Sequence, residues 1–341
     1  MSTLPIQTLD TGDLKDRVAR FQRVRGDILT QVHRVIVGQE EVIEQVMIAL
    51  MVGGHCLITG LPGTAKTLLV RTLATILGLN FRRIQFTPDL MPSDITGTDI
   101  IEEDPSNGRR TWTFVPGPIF CNVLLADEIN RTPPKTQSAL LEAMQELSCT
   151  VRGNQYKISP PFFVLATQNP IELEGTYPLP EAQLDRFIFN VLLDYLPAED
   201  ELKVLDLTTT THLSKADSVT TSEEILDFQR LVRMVPIAES VAKYAVALVR
   251  ATRATDPSSP DFVKKYVNFG ASVRAAQNLV LTAKSRALMQ GRYHVSFEDV
   301  RALTRPILRH RILLNFQAES DKLTQDDILK KLLETMPAPR E

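Results

Sequence analysis

Apolar residues recur at helical spacing between Leu14 and Ile36. Leu14, Val18, Phe21, Ile28, Leu29, Val32, Val35 and Ile36 share one face. Gly38 interrupts this pattern, and Gln39 to Met51 predicts a second helix that stops at Gly53-Gly54. The period then changes. CLITG, Cys56 to Gly60, is a short apolar run bounded by glycines and predicts a buried strand. Thr67 to Leu77 predicts a helix ended by Gly78, and FRRIQF, Phe81 to Phe86, alternates as a strand does. Asn122 to Glu128, Phe162 to Asn169 and Phe187 to Leu193 predict further buried strands, with a helix over Pro134 to Leu147. Continuously apolar strands separated by helices predict an α/β fold, a parallel sheet sandwiched between helices.

Two segments break that rhythm. Asp99 to Pro118 alternates around Asn107-Gly108, and Cys149 to Ser159 alternates around Gly153-Asn154; both predict inserted hairpins. The sheet pattern stops near Leu207. LTTTTHLSKADSVTT follows as a polar linker, and beyond it only helices are expected: Glu223–Met234, Glu239–Ala254, Ser272–Gln290, Phe297–His310 and Gln325–Glu334. Thr221 with Glu224 predicts a capping box at the first of these. The expected division is an α/β core over 1–206, a linker over 207–222 and an all-α C-terminal domain over 223–341.

Composition narrows the function. With 341 residues, the chain has room for about two domains. Lys plus Arg number 38 and Asp plus Glu 41, a net charge of −3, which argues against a broadly basic nucleic-acid footprint. Arg82-Arg83 and Arg109-Arg110 are the local basic candidates. Three cysteines, Cys56, Cys121 and Cys149, form no CxxC pair and read as buried reduced thiols. The histidines lack an HExxH spacing, so no protein-built metal site is expected. The N-terminus has no apolar core of a signal peptide, and no apolar run reaches the ~20 residues that span a bilayer. Cytoplasmic residence is the expectation.

The chemistry concentrates in LITGLPGTAKTLLV, Leu57 to Val70, between a predicted strand and a predicted helix. A helix start exposes unpaired N–H groups and the positive end of a dipole, and a tight loop there makes an anion cradle. Gly60 and Gly63 let the backbone come close, Lys66 brings a charge toward the β and γ phosphates, and Thr67 offers a hydroxyl to Mg²⁺. Ala65 stands where the generic P-loop has glycine, and its methyl group is expected to be tolerated at a negative φ.

VLLADE, Val123 to Glu128, is the matching apolar strand with Asp127 and Glu128 at its C-terminal end, where ligands bind in open α/β sheets. Asp127 suits a metal held through water, and Glu128 suits polarisation of an attacking water. Alone, this pair also fits a solvated acidic turn. Asn169 in ATQNP is placed to orient water, although Asn-Pro also starts ordinary turns. Arg186 in EAQLDRF also fits a surface ion pair. Arg274 in GASVRA opposes a helix dipole, which calls for an anion nearby. Trp112 fits either packing or partner contact.

Together, GLPGTAKT, LLADEINRTPPKTQSALLEAMQE, ATQNP, YPLPEAQLDRF and GASVRA resemble the AAA+ ATPases, and the MoxR family in particular. The resemblance covers about Val35 to Ala275, and the helical remainder is similar to the family's lid. Ala65 is shared with that family, whereas Val273 replaces its usual proline. The resemblance implies Lys66 and Thr67 as the Walker-A pair and Asp127 and Glu128 as the Walker-B pair. It implies Asn169 as sensor one, Arg186 as an arginine finger serving the next subunit, and Arg274 as sensor two. Nucleotide contacts are implied at Gly60, Pro62, Gly63, Thr64, Ala65, Lys66, Thr67 and Leu68, and beside the adenine at Val37, Gly38 and Gln39. ATP and Mg²⁺, a hexameric ring and a protein client with a von Willebrand factor A domain partner follow from the same resemblance. The alternatives are a nucleic-acid motor, a magnesium-chelatase-type subunit or, with every hydrolytic position filled, least of all a non-catalytic nucleotide sensor.

Overall fold

The structure is a computed structural model that describes residues 11–103, 110–171, 175–209 and 215–339. Asn107 and Gly108, and positions 210–214 of the threonine-rich segment, lie outside the described residues.

The chain opens with α1 (Thr11–Val32) and α2 (Glu40–Val52), then β1 (Cys56–Gly60), α3 (Lys66–Ile76) and β2 (Phe81–Gln85). A short α4 (Pro92–Thr96) leads into an antiparallel hairpin of β3 (Gly97–Glu103) and β4 (Arg110–Pro116). Next come β5 (Val123–Asp127), a 3₁₀ turn at Ile129–Arg131, α5 (Pro134–Glu146), and a second hairpin of β6 (Ser148–Val151) and β7 (Asn154–Lys157). The α/β part ends with β8 (Phe163–Gln168), α6 (Glu181–Leu184), β9 (Phe189–Leu193) and α7 (Ala198–Thr208).

Strands β2, β5, β8, β1 and β9, in that spatial order, form one five-stranded parallel sheet. Its period of two divides the core. Ile58, Val123, Leu125, Phe163 and Leu165 pack on one face; Leu57, Leu124, Ala126, Val164 and Ala166 pack on the other with α5 residues Leu140 and Leu141. Both faces are covered over the central strands β5, β8 and β1, which is why these are largely apolar, whereas the edge strand β2 exposes Arg82, Arg83 and Gln85. The order also gathers the C-terminal ends of β1, β5 and β8 side by side, where the candidate chemistry lies.

The helical part contains α8 (Ser222–Met234), α9 (Glu239–Ala251), α10 (Asp261–Tyr266), α11 (Val273–Met289), α12 (Phe297–Leu308), α13 (Phe316–Ser320) and α14 (Gln325–Thr335). The expectation of helices alone is corrected here. β10 (Val267–Phe269) and β11 (Leu313–Leu314) pair antiparallel, each too short to display an alternation in sequence. The short α10 and α13 escaped for the same reason. Helix α7 was also unforeseen: it buries no residue and shows no core stripe, and the acidic first turn Glu199, Asp200 and Glu201 suits its N-terminus.

Helix α1 packs across the two parts. Phe21 meets Phe228 edge-on with ring centroids 5.0 Å apart, and Arg17 pairs with Asp227 at 2.7 Å. One apolar cluster therefore runs from the sheet through α1 into α8 and α11. The capping box at Thr221 is half formed. Thr221 Oγ1 accepts from the Glu224 N–H, but the Glu224 carboxylate turns to Thr220 Oγ1 and Arg20, each at 2.6 Å. The second hairpin turns one residue earlier than expected: Arg152 (φ 48°) and Gly153 (φ 84°) are its central pair, and Asn154 already belongs to β7. The two hairpins touch, with the Arg152 guanidinium 4.1 Å from the centroid of the exposed Trp112 ring and Phe114 stacked on Tyr156 at 3.8 Å. Among the described residues, no helix is long and apolar enough to cross a membrane.

Candidate functional site

A cavity of about 370 Å³ opens where β1 gives way to α3, lined by Pro62 to Leu68 together with Asp127, Glu128 and Asn169. The loop is built on two left-handed residues, Gly63 at φ 80° and Ala65 at φ 60°. The expected negative φ at Ala65 is corrected. The backbone reverses one residue before α3, and alanine takes the αL conformation there at a cost of about 1–2 kcal/mol. A Cβ on Gly63 would meet nothing within 4 Å, so Gly63 is required by its dihedral and leaves room above the loop. Gly60 has a different reason. A Cβ there would stand 2.6 Å from Leu193 O on the paired strand β9, so its bareness serves sheet packing instead of ligand approach. Lys66 Nζ donates to Gly60 O, folded back over the loop.

Asp127 and Glu128 end β5 beside this loop. Asp127 Oδ2 accepts from Arg83 Nη2 at 2.6 Å, and Oδ1 accepts from Thr167 Oγ1 at 2.6 Å. Arg83 Nε also donates to Oδ2, at 3.1 Å; a carboxylate has about four lone-pair sites, so three donors leave capacity for one contact to a hydrated cation. Glu128 sits in the left-handed region at φ 56°, which turns its side chain away from the strand direction. Its Oε2 accepts from Gln85 Nε2 at 2.7 Å and from Arg131 Nη1 at 3.0 Å. Asn169 is buried, and its Oδ1 accepts from Ile171 N at 3.2 Å, the ordinary turn role; its Nδ2 is the donor left for a ligand.

Sequence reasoning missed Arg83, Gln85, Arg131 and Thr167. Gln85 is in register with Asp127 across β2 and β5, and Arg83 lies two residues before it on the same face of the strand. The only signal for Thr167 was a hydroxyl inside an otherwise apolar strand.

The remaining predicted residues do not line this cavity. Val37, Gly38 and Gln39 lead into α2, with Gly38 and Gln39 both left-handed; Gln39 Oε1 is buried with no hydrogen-bond partner among the described residues. Arg186 Nη1 donates to Leu141 O at 2.7 Å, beside α5. Arg274 Nη1 stands 3.6 Å from Asp185 Oδ2, which supplies the anion that its place at the start of α11 called for. The three cysteines are buried, and burial pushes the Cys121 thiol up to about 12.

The donor set suits a magnesium nucleotide. Backbone N–H groups and an ammonium face the same space as a threonine hydroxyl and two carboxylates, and the loop leaves an unobstructed approach.

Residues 55–189 match the ATPase family associated with various cellular activities, and residues 261–332 match the AAA lid domain. The chain is 41% identical over 310 residues to Chaperone MoxR1 of Mycobacterium tuberculosis, covering 91% of this chain and 81% of that protein. It is 30% identical over 346 residues to Protein MoxR of Methylorubrum extorquens, covering 96% of each. A solved structure of a candidate ATPase from Cytophaga hutchinsonii superposes with a TM-score of 0.89 at 40% identity, covering 96% of this chain and 99% of that one. The chain belongs to the MoxR family of AAA+ ATPases.

Proposed function

We propose that this chain hydrolyses ATP to ADP and phosphate, and that copies assembled in a ring, of hexameric size, use the cycle to remodel or activate client proteins. The observation that carries the catalytic half is the convergence of Lys66, Thr67, Asp127, Glu128 and Asn169 on one cavity. The loop N–H groups and Lys66 bind the phosphates, with Lys66 exchanging its Gly60 carbonyl for phosphate oxygens. The Thr67 hydroxyl and, through water, Asp127 would hold a magnesium ion, which would supply charge neutralisation at the phosphates. Glu128 accepts a proton from the attacking water, and Asn169 Nδ2 orients that water. Gln39 Oε1, an unpartnered acceptor, suits the amino group of an adenine.

Arg186 and Arg274 lie outside their own cavity lining and flank the same residue, Asp185. Both guanidiniums are therefore assigned to the nucleotide of an adjoining copy. An arginine supplied this way contributes about 10³-fold or more to turnover in comparable enzymes.

The remodelling half rests on family membership and on the name of the relative Chaperone MoxR1. A von Willebrand factor A domain partner belongs to the same reading. The net charge of −3 disfavours a nucleic-acid motor. Calorimetric titration with ATP and magnesium tests the catalytic half. Lys66→Ala is expected to abolish binding, and Glu128→Gln to bind and stall. Wild-type protein without nucleotide affinity would overturn the reading. A pull-down with the stalled Glu128→Gln chain tests the client role, and ATPase stimulation by DNA with a steep salt dependence would shift the reading to the motor.

A further inference from the structure

The segment that carries Arg186 is clasped by three consecutive basic residues beyond α12. Arg309 Nη1 donates to Asn190 O and His310 Nε2 contacts Phe187 O, each at 3.0 Å. Arg311 donates to the carbonyls of Asp185 and Ile188 at 3.0 Å and also to that of Phe187. Its Nε donates to Asp185 Oδ1 at 2.7 Å. The Arg311 side chain is 1% exposed, and a buried guanidinium requires a counter-charge; Asp185 supplies it.

The other oxygen of that carboxylate faces the helical part. Asp185 Oδ2 accepts from Ser272 Oγ at 3.3 Å and lies 3.6 Å from Arg274 Nη1. One carboxylate thus touches a buried arginine and an exposed one, and its chain neighbour is a third, Arg186. A single negative charge cannot neutralise two guanidiniums, so the cluster keeps a net positive charge that suits an anion.

We propose that Asp185 and Arg311 are positioning residues: this pair, buried on the arginine side, sets where Arg186 and Arg274 stand relative to each other, so that both reach one triphosphate on an adjoining copy. This rests on the reading above that Arg186 serves a neighbour. Arg311 fixes the backbone on either side of Arg186, and Asp185 Oδ2 holds Arg274 beside it.

The test uses the full chain carrying Asp185→Asn, which preserves shape and the acceptor for Arg311 Nε but removes the charge. The expected result is kcat lowered about tenfold or more with KM for ATP changed by less than about twofold. Mixing with the Lys66→Ala chain should restore turnover, because that chain brings an intact Asp185–Arg186 unit to a competent pocket. Damage to the variant's own fold or pocket would not be repaired by mixing. Unchanged kcat, or a loss that mixing leaves in place, overturns the proposal. Arg186→Ala run alongside separates the two ideas. If it leaves turnover intact, the neighbour-serving reading fails. If it slows turnover while Asp185→Asn does not, only the positioning role fails. Should Asp185→Asn not fold, Ser272→Ala, which leaves Arg311 untouched, carries the test: kcat lowered about threefold and restored by the same mixing, against no change.

Discussion

Thr167 Oγ1 bridges the two acidic residues of the site, donating to Asp127 Oδ1 at 2.6 Å and accepting the Glu128 N–H at 2.9 Å. One hydroxyl on β8 thereby sets both the carboxylate assigned to magnesium and the backbone turn that aims the assigned base. Thr167 is 1% exposed, so neither bond has water as a substitute. Replacing it with valine is expected to cost about 1–3 kcal/mol, because the Glu128 N–H loses its acceptor in a buried place. Turnover should fall with stability, and Thr167→Ser should retain both. Urea unfolding and steady-state ATPase assays on the pair check this; a valine variant as active as wild type would remove Thr167 from the site.

Gln85 and Arg131 both donate to the same oxygen of Glu128. Their hold orients the carboxylate. Glu128→Gln is expected to lower kcat by about 10²–10⁴-fold while leaving nucleotide affinity near wild type. Gln85→Ala should lower kcat more modestly, by about threefold to tenfold, through misplacement of Glu128. In the Glu128→Gln background the Gln85 substitution should then have no further effect. Additive losses in this double-mutant cycle would show that Gln85 acts elsewhere.

Ala65 holds φ at 60° immediately before α3. Glycine adopts that conformation without the Cβ penalty of about 1–2 kcal/mol, but it adds about 0.4–1 kcal/mol of unfolded-state entropy to be lost on folding. The balance favours Ala65→Gly by up to about 1.6 kcal/mol, with a rise in the thermal midpoint. Nucleotide binding should be unchanged. A clear fall in midpoint on differential scanning calorimetry would mean that the methyl group makes a contact worth more than the strain.

Asp299 anchors the helical part from a fully buried position. Burial pushes its carboxyl up. Arg292 at 2.6 Å, the Ser296 N–H at 2.9 Å and Arg286 at 2.9 Å outweigh that and hold it below the usual range. A carboxyl depressed on folding stabilises above its unfolded pKa of about 3.9, and the contribution is lost as pH falls through the lower folded value. Acidification below about pH 4 is therefore expected to lower the urea midpoint. Asp299→Asn should be less stable at neutral pH, by about 3–5 kcal/mol, because Arg292 loses its counter-charge and Arg286 keeps only Glu44, at 3.2 Å. Its midpoint should also depend less on pH in the acid range. An identical acid profile in the variant would assign the acid loss to other carboxylates.

Much of this protein was legible along the chain. The switch from helical spacing to apolar runs located four of the five strands of the parallel sheet, because strands covered on both faces have little polar side to confuse the pattern, and alternation located the edge strand β2. Lys66, Thr67, Asp127 and Glu128 were recognisable because a phosphate-binding loop and a carboxylate-tipped strand each lie within a few consecutive residues. Relations across the sheet were not legible. Thr167 reaches Asp127 over 40 positions and Gln85 reaches Glu128 over 43, and only strand order and register bring them together. Asp185 and Arg311 are 126 positions apart, and their pairing depends on how the helical part docks on β9. The left-handed backbone at Ala65 was hidden because a sequence reports the residue and not the dihedral that the surrounding loop imposes. Local periodicity and short motifs thus determined the strands of the main sheet, the longer helices and the residues that line the cavity. Tertiary packing alone decided which buried charges meet, since a guanidinium and a carboxylate must pair wherever water is excluded.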